Sequence, residues 1–192
     1  MISWGCQLAS ALEYLHSQKY IYRLLKPEHL WLNGTRTTLK VCRLGFSHGN
    51  SPFSRSVFRN TIYTAPEVLK NRPYSPKCDV YSWALTLWEC FSRKRPFYEC
   101  DQNEALLSKK LEPDHSLEVI DPKIIPEEIN ELIQNCSKVN PNGRPTMRSV
   151  QNVMKKYLTH ENGTVNIEHS LYFNPDLLEV SMIDFGFIFP SI

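Results

Sequence analysis

The side chains of this 192-residue chain that could act on a ligand are cations. Lys26 lies in the run Tyr22-Arg23-Leu24-Leu25-Lys26-Pro27-Glu28-His29, and Arg43 opens Arg43-Leu44-Gly45. Lysine and arginine so placed can bind phosphate oxygens as charges and hydrogen-bond donors. They cannot by themselves transfer a phosphoryl group. Transfer needs a carboxylate at the attacking hydroxyl and oxygen ligands for Mg²⁺. Asp184-Phe185-Gly186 brings one carboxylate into a short run near the C-terminus, and a lone tripeptide is read as chance. The six cysteines (6, 42, 78, 90, 100 and 136) show no C-x-x-C spacing, and Cys90 reads as core. They suggest reduced thiols in a cytoplasmic protein, with neither a zinc site nor a disulfide framework.

Composition narrows the class. Hydrophobic residues make up 42% and charged residues 22%, the balance of one soluble globular domain. A net charge of +2 gives no reason to expect nucleic acid as a partner. No apolar run is long enough for membrane insertion. Asn162-Gly163-Thr164 matches a glycosylation acceptor without a signal peptide to support it.

The positioning elements are organised around Asp79–Phe91. Val80, Trp83, Ala84, Leu85, Leu87, Trp88, Cys90 and Phe91 point nearly all the way round at 3.6 residues per turn. A helix apolar on every side belongs inside a core. Asp79 at its start is expected to cap it and to meet its dipole. Residues 1–17 read as an amphipathic helix through Trp4, Leu8, Ala11, Leu12 and Leu15. A turn at Asn33-Gly34 leads to a strand-like Thr38–Cys42. Further helices are expected over 101–111, capped by Asp101 with Glu104, over 127–138, and over 146–158. The tail 159–192 is too apolar for a solvated coil and should pack on the lobe or on a partner.

With these elements in place, the ordered motifs carry a resemblance. The segment from Tyr22 resembles the catalytic loop of eukaryotic protein kinases, His-Arg-Asp-Leu-Lys-Pro-x-Asn, with Arg23, Leu25, Lys26, Pro27 and Glu28 in place. Ala65-Pro66-Glu67 follows, then Asp79 at the start of the buried helix, then Arg144-Pro145-Thr146. Tyr74–Trp83 and Leu87-Trp88-Glu89 are similar to the tyrosine-kinase-like group, most of all to the TGF-β-activated kinase type of MAP kinase kinase kinase. The resemblance covers residues 1–158 and implies a mainly α fold with a small β-hairpin, the large helical lobe of a protein kinase. It implies that Asp79 holds the backbone of the catalytic loop and that Glu67 and Arg144 form a buried ion pair. Residues 46–63 would be the activation segment, with Ser47, Ser51, Ser54, Ser56 and Thr61 as candidate phosphorylation sites and Arg23 available to a phosphate there.

Against that pattern the chemical residues are lost. Leu24 stands for the catalytic Asp, His29 for the metal-binding Asn, and Arg43 for the Asp of Asp-Phe-Gly. Asn60 replaces the Ser or Thr that contacts the catalytic Asp. Tyr22 and Leu44 substitute for a histidine and a phenylalanine while keeping apolar volume in the internal spine, and Gly45 is retained. No Gly-rich loop, Val-Ala-x-Lys strand or partner glutamate helix occurs. The abrupt helix start at Met1 suggests an absent upstream part.

The expectation is a pseudokinase acting through contacts with signalling proteins, other kinases or their adaptors, in a MAP-kinase-type cascade. No cofactor is expected: ATP and Mg²⁺, the family ligands, would bind weakly or not at all, with Lys26 as a phosphate-binding remnant. The alternatives are a weak Ser/Thr kinase completed by a small lobe elsewhere, and a truncated form with no role of its own.

Overall fold

The structure is a computed structural model describing residues 1–42, 62–100, 103–112 and 115–161. Its described elements are α1 (Ile2–Ser17), β1 (Leu30–Leu32), β2 (Leu39–Val41), α2 (Pro66–Leu69), α3 (Lys77–Ser92), α4 (Asn103–Leu111), α5 (Glu127–Cys136) and α6 (Met147–Glu161). Short 3-10 turns occupy Pro27–His29 and Pro141–Gly143. The mainly α composition with one two-stranded antiparallel hairpin is the expected one.

Every residue of α3 from Cys78 to Trp88 is buried, as all-round apolarity requires. The helix packs on α1 and α5, and α1 in turn packs on α6 and β2. The α1–α3 crossing is close at Gly5. A Cβ there would lie 2.8 Å from Leu87 Cδ1 and 2.8 Å from the Met154 methyl, and the Trp83 indole donates to the Gly5 carbonyl at 3.1 Å. Two polar residues of α3 bond within the core, while the buried Thr86 hydroxyl has no hydrogen-bond partner among the described residues. Ser82 donates to the Tyr63 carbonyl at 2.8 Å, and Glu89 accepts from the Tyr63 hydroxyl at 2.5 Å. Arg93 closes the helix in the left-handed conformation, its N–H on the Glu89 carbonyl.

Several local expectations are corrected. Asp79 does not cap its own helix: the N-cap is Pro76, which has no side-chain bond to offer, and Lys77 N–H reaches Ser75 Oγ at 3.4 Å. The chain turns at Asn33-Gly34 as expected, with Arg36 N–H on the Asn33 carbonyl at 2.8 Å. The hairpin connection is longer, however, running from Asn33 to Thr38, with the Asn33 side chain accepting from Thr37 and Thr38 N–H and the positive φ on Arg36. This longer loop is fastened to α1, where Trp4 donates to the Arg36 carbonyl, and Gln7 donates to the Thr37 carbonyl while accepting from Leu39 N–H. Helix α5 ends at Cys136 rather than Lys138, because Val139 and Lys138 give their carbonyls to Arg144. Helix α6 continues past Leu158 to Glu161. All six cysteines are free; Cys90 is only half-buried, while Cys6, Cys78 and Cys136 are in the core. The expected cap at Asp101 and the tail beyond Glu161 lie outside the described residues.

Candidate functional site

The loop before β1 is held from below by one carboxylate. Asp79 is fully buried. Its Oδ2 accepts from Tyr22 N–H at 2.8 Å and its Oδ1 from Arg23 N–H at 2.7 Å. His16, at the end of α1, donates from Nε2 to Oδ2 at 2.8 Å. Arg23 has a φ of 68°, a conformation costly for a branched side chain. The Asp79 bond to its own amide helps hold it there. The carboxylate so placed meets the positive end of α3 while fixing a different segment, which is why a capping reading of the sequence misplaces it. His16 carries no sequence signal of its own; it lies beyond the apolar stripe of α1.

Side chains on the loop are arranged for packing. Tyr22 is buried and donates its hydroxyl to the Cys42 carbonyl, so it contributes a hydrogen bond as well as spine volume. Arg23 directs its guanidinium to Tyr74, donating to the hydroxyl at 2.7 Å and lying 5.7 Å from the ring centre. Leu24 is half-buried and its carbonyl accepts from His29 Nδ1 at 2.8 Å. A carbonyl only accepts, so Nδ1 of His29 carries the proton and is not a metal donor. The His29 ring is buried and meets Tyr22 edge-on, at 6.3 Å between centroids. Lys26 is partly exposed, its Nζ 3.8 Å from Glu28 Oε1, a carboxylate that competes with any phosphate.

A second centre lies below. Glu67 and Arg144 form a bidentate pair, both bonds 2.8 Å, with Arg144 2% exposed. Every guanidinium N–H is used: the rest reach the carbonyls of Lys138, Lys77 and Val139. The guanidinium also lies 4.9 Å from the Tyr81 ring centre, stacked as arginine prefers. Burial raises the Tyr81 phenol well above its ordinary value. Lys110 on α4 completes the region and was missed in the sequence. It is fully buried, donating to the carbonyls of Ile62 and Thr64 at 2.7 and 2.6 Å and lying over Tyr81 and Phe97. Burial, and then Arg144 nearby, holds its ammonium pKa well below the usual lysine value. The available signal was spacing: Lys110 falls four residues after buried Leu106, on the same helical stripe.

The structure thus brings together Tyr22, Arg23, His29 and Asp79 in one cluster and Glu67 with Arg144 in another. Arg43, Leu44, Gly45, Ser47, Ser51, Ser54, Ser56, Asn60 and Thr61 lie outside the described residues, as does Asp184-Phe185-Gly186. By the kinase resemblance Leu24 would stand at the base position and His29 at a metal-ligand position, and neither side chain offers the oxygen that Mg²⁺ prefers. Among the described residues no group of three or more His, Cys, Asp or Glu could hold a metal ion.

The protein kinase domain family matches residues 1–158. The chain belongs to that family. Among kinase-domain proteins it is 30% identical over 168 residues to a mitogen-activated protein kinase kinase kinase 7-like protein of Drosophila melanogaster, covering 85% of this chain and 42% of that one. It is 32% identical over 168 residues to mitogen-activated protein kinase kinase kinase 7 of the same fly, covering 84% of this chain and 24% of the relative. The human protein of that name is 31% identical over 156 residues, with 80% and 25% covered. The chain therefore spans well under half of the relatives it matches, and the helix-rich described part is compatible with a partial kinase fold. No helix among the described residues is long and apolar enough to cross a membrane.

Proposed function

We propose that this chain is a catalytically silent kinase lobe that works through protein contacts in a MAP-kinase-type cascade. One observation carries the reading: Leu24 and His29, at the positions the resemblance gives to the base and a metal ligand, supply neither a carboxylate nor an oxygen ligand. The loop's backbone is nevertheless held by Asp79 with the care of a working site. Loss of a general base alone is worth roughly 10²–10⁴ in rate. Arg43, a cation in place of the main Mg²⁺ ligand, supports the same reading from the sequence. What remains useful is a rigid surface, and the relatives' name points to other signalling proteins, kinases or adaptors, as those that read it.

The test is phosphate transfer from radiolabelled ATP to a generic substrate with Mg²⁺ or Mn²⁺. Incorporation should not exceed that of Lys26→Ala. Thermal shift with ATP should likewise show no gain on adding Mg²⁺. Turnover well above the Lys26→Ala control would establish the weak Ser/Thr kinase instead.

A further inference from the structure

The acidic residues are unevenly placed. Between Glu112 and Glu131 the sequence has Glu112, Asp114, Glu118, Asp121, Glu127, Glu128 and Glu131 against a single Lys123, in a chain whose net charge is +2. Two of these acids, Glu127 and Glu131, stand one turn apart on α5 and line an open groove of about 420 Å³. Val119, Pro122, Asn130 and Gln134 are among its other walls. Neither lining carboxylate has a salt-bridge partner among the described residues, whereas Glu118 is held by Lys94 and Glu128 accepts from Tyr157.

The groove is built rather than incidental. Asn130 is buried, accepts from Ile120 N–H at 3.1 Å and donates to the Ile120 carbonyl at 2.7 Å, locking the loop before α5. Gln134 donates to the Leu117 carbonyl at 2.9 Å, and its buried Oε1 has no hydrogen-bond partner among the described residues. Val119 is 65% exposed at the groove, and Ile124 in the same loop is 54% exposed. Apolar walls with a one-sign rim favour a partner of opposite charge.

We propose that this α5 groove docks a segment of another protein in which an apolar side chain is flanked by Lys or Arg. The sign of the rim decides between occupants. The chain's own residues 162–192 are apolar but contain Glu168, Asp176, Glu179 and Asp184 and no Lys or Arg, so they would be repelled. The partner's apolar group fills the groove beside Val119, and its cations meet Glu127 and Glu131. This reading does not depend on whether the catalytic loop is silent.

The experiment uses the full chain and a short fluorescent peptide of paired leucines flanked by arginines, with a counterpart in which glutamates replace the arginines. Fluorescence anisotropy should show binding of the basic peptide only, weakening as salt is raised. Glu127→Gln/Glu131→Gln should weaken it by about tenfold or more. Val119→Asp should abolish the apolar contribution, and amide shifts in NMR should map to α5 and the loop before it. Far-UV circular dichroism checks that each variant is folded. Equal binding of both peptides, indifference to the paired Gln variant, or shifts elsewhere would overturn the proposal. So would self-association of the chain through this face, seen by sedimentation, or its occupation by residues 162–192, seen as shifts at α5 on truncating them.

Discussion

Two charged centres of this protein lie on the same framework and differ in how completely they are satisfied. At Arg144 every N–H donor has an acceptor, the paired carboxylate is bidentate, and an aromatic ring covers one face. In the loop above, the side chains at the chemical positions serve packing. Leu24 is aliphatic, His29 binds backbone, and Lys26 is a partly exposed cation near a carboxylate. The difference separates two demands within one domain. A buried charge left unpaired is costly, so losing either partner of the lower centre should destabilise the fold. The loop makes a lesser demand: Leu24 is half-buried and Lys26 partly exposed, and replacing either strands no buried charge.

The largest expected effect breaks the lower centre. Arg144→Ala leaves Glu67 buried and three carbonyls without their donor, and should cost roughly 3–5 kcal/mol. Against a net stability of about 5–15 kcal/mol for an ordinary domain, urea denaturation should show a greatly lowered midpoint. A wild-type midpoint would mean the pair does not hold the lobe. Asp79→Ala attacks the link between the two centres. It strands the amides of Tyr22 and Arg23 at roughly 1–3 kcal/mol for each buried donor, and Arg23 loses one of the contacts that hold its left-handed backbone. Amide exchange in the loop should accelerate together with the fall in midpoint.

Lys110 sharpens the comparison through pH. Its folded-state pKa is depressed, with burial the main cause, while the unfolded chain keeps the ordinary lysine value of 10.5. Between those two values the unfolded state binds more protons, so stability should rise with pH through that window. The contribution is complete above the unfolded value and lost as pH falls through the folded one. Lys110→Met should flatten the slope of denaturation midpoint against pH; an unchanged slope would show that the ammonium is not penalised. Smallest is the change at the loop. Leu24 is half-buried and pairs with no charge, so Leu24→Asp should cost about 1 kcal/mol, the size of a typical single substitution. Collapse of this variant while Arg144→Ala stays folded would invert the whole contrast.

Much of the fold was legible because periodicity and motif order are local. The stripe of α1 and the all-round apolarity of α3 needed only spacing, and both helices formed where expected, whereas the pairing of Glu67 with Arg144 came from the resemblance. The replacements at Leu24, His29 and Arg43 were also plain, since a residue type states which chemistry it lacks. Other features required the chain to be folded. Asp79 looked like a cap because it begins an apolar run, and only the resemblance, not spacing, pointed its carboxylate to the loop more than fifty residues earlier that it holds. Lys110 carried no expectation from the sequence, and is an interior donor because α4 lies against the carbonyls of Ile62 and Thr64. His16 gained its role only when α1 and α3 came together. The physical reason is common to all three. A residue type and its spacing determine what a side chain can donate or accept, whereas its partner comes from a distant segment and is chosen by packing.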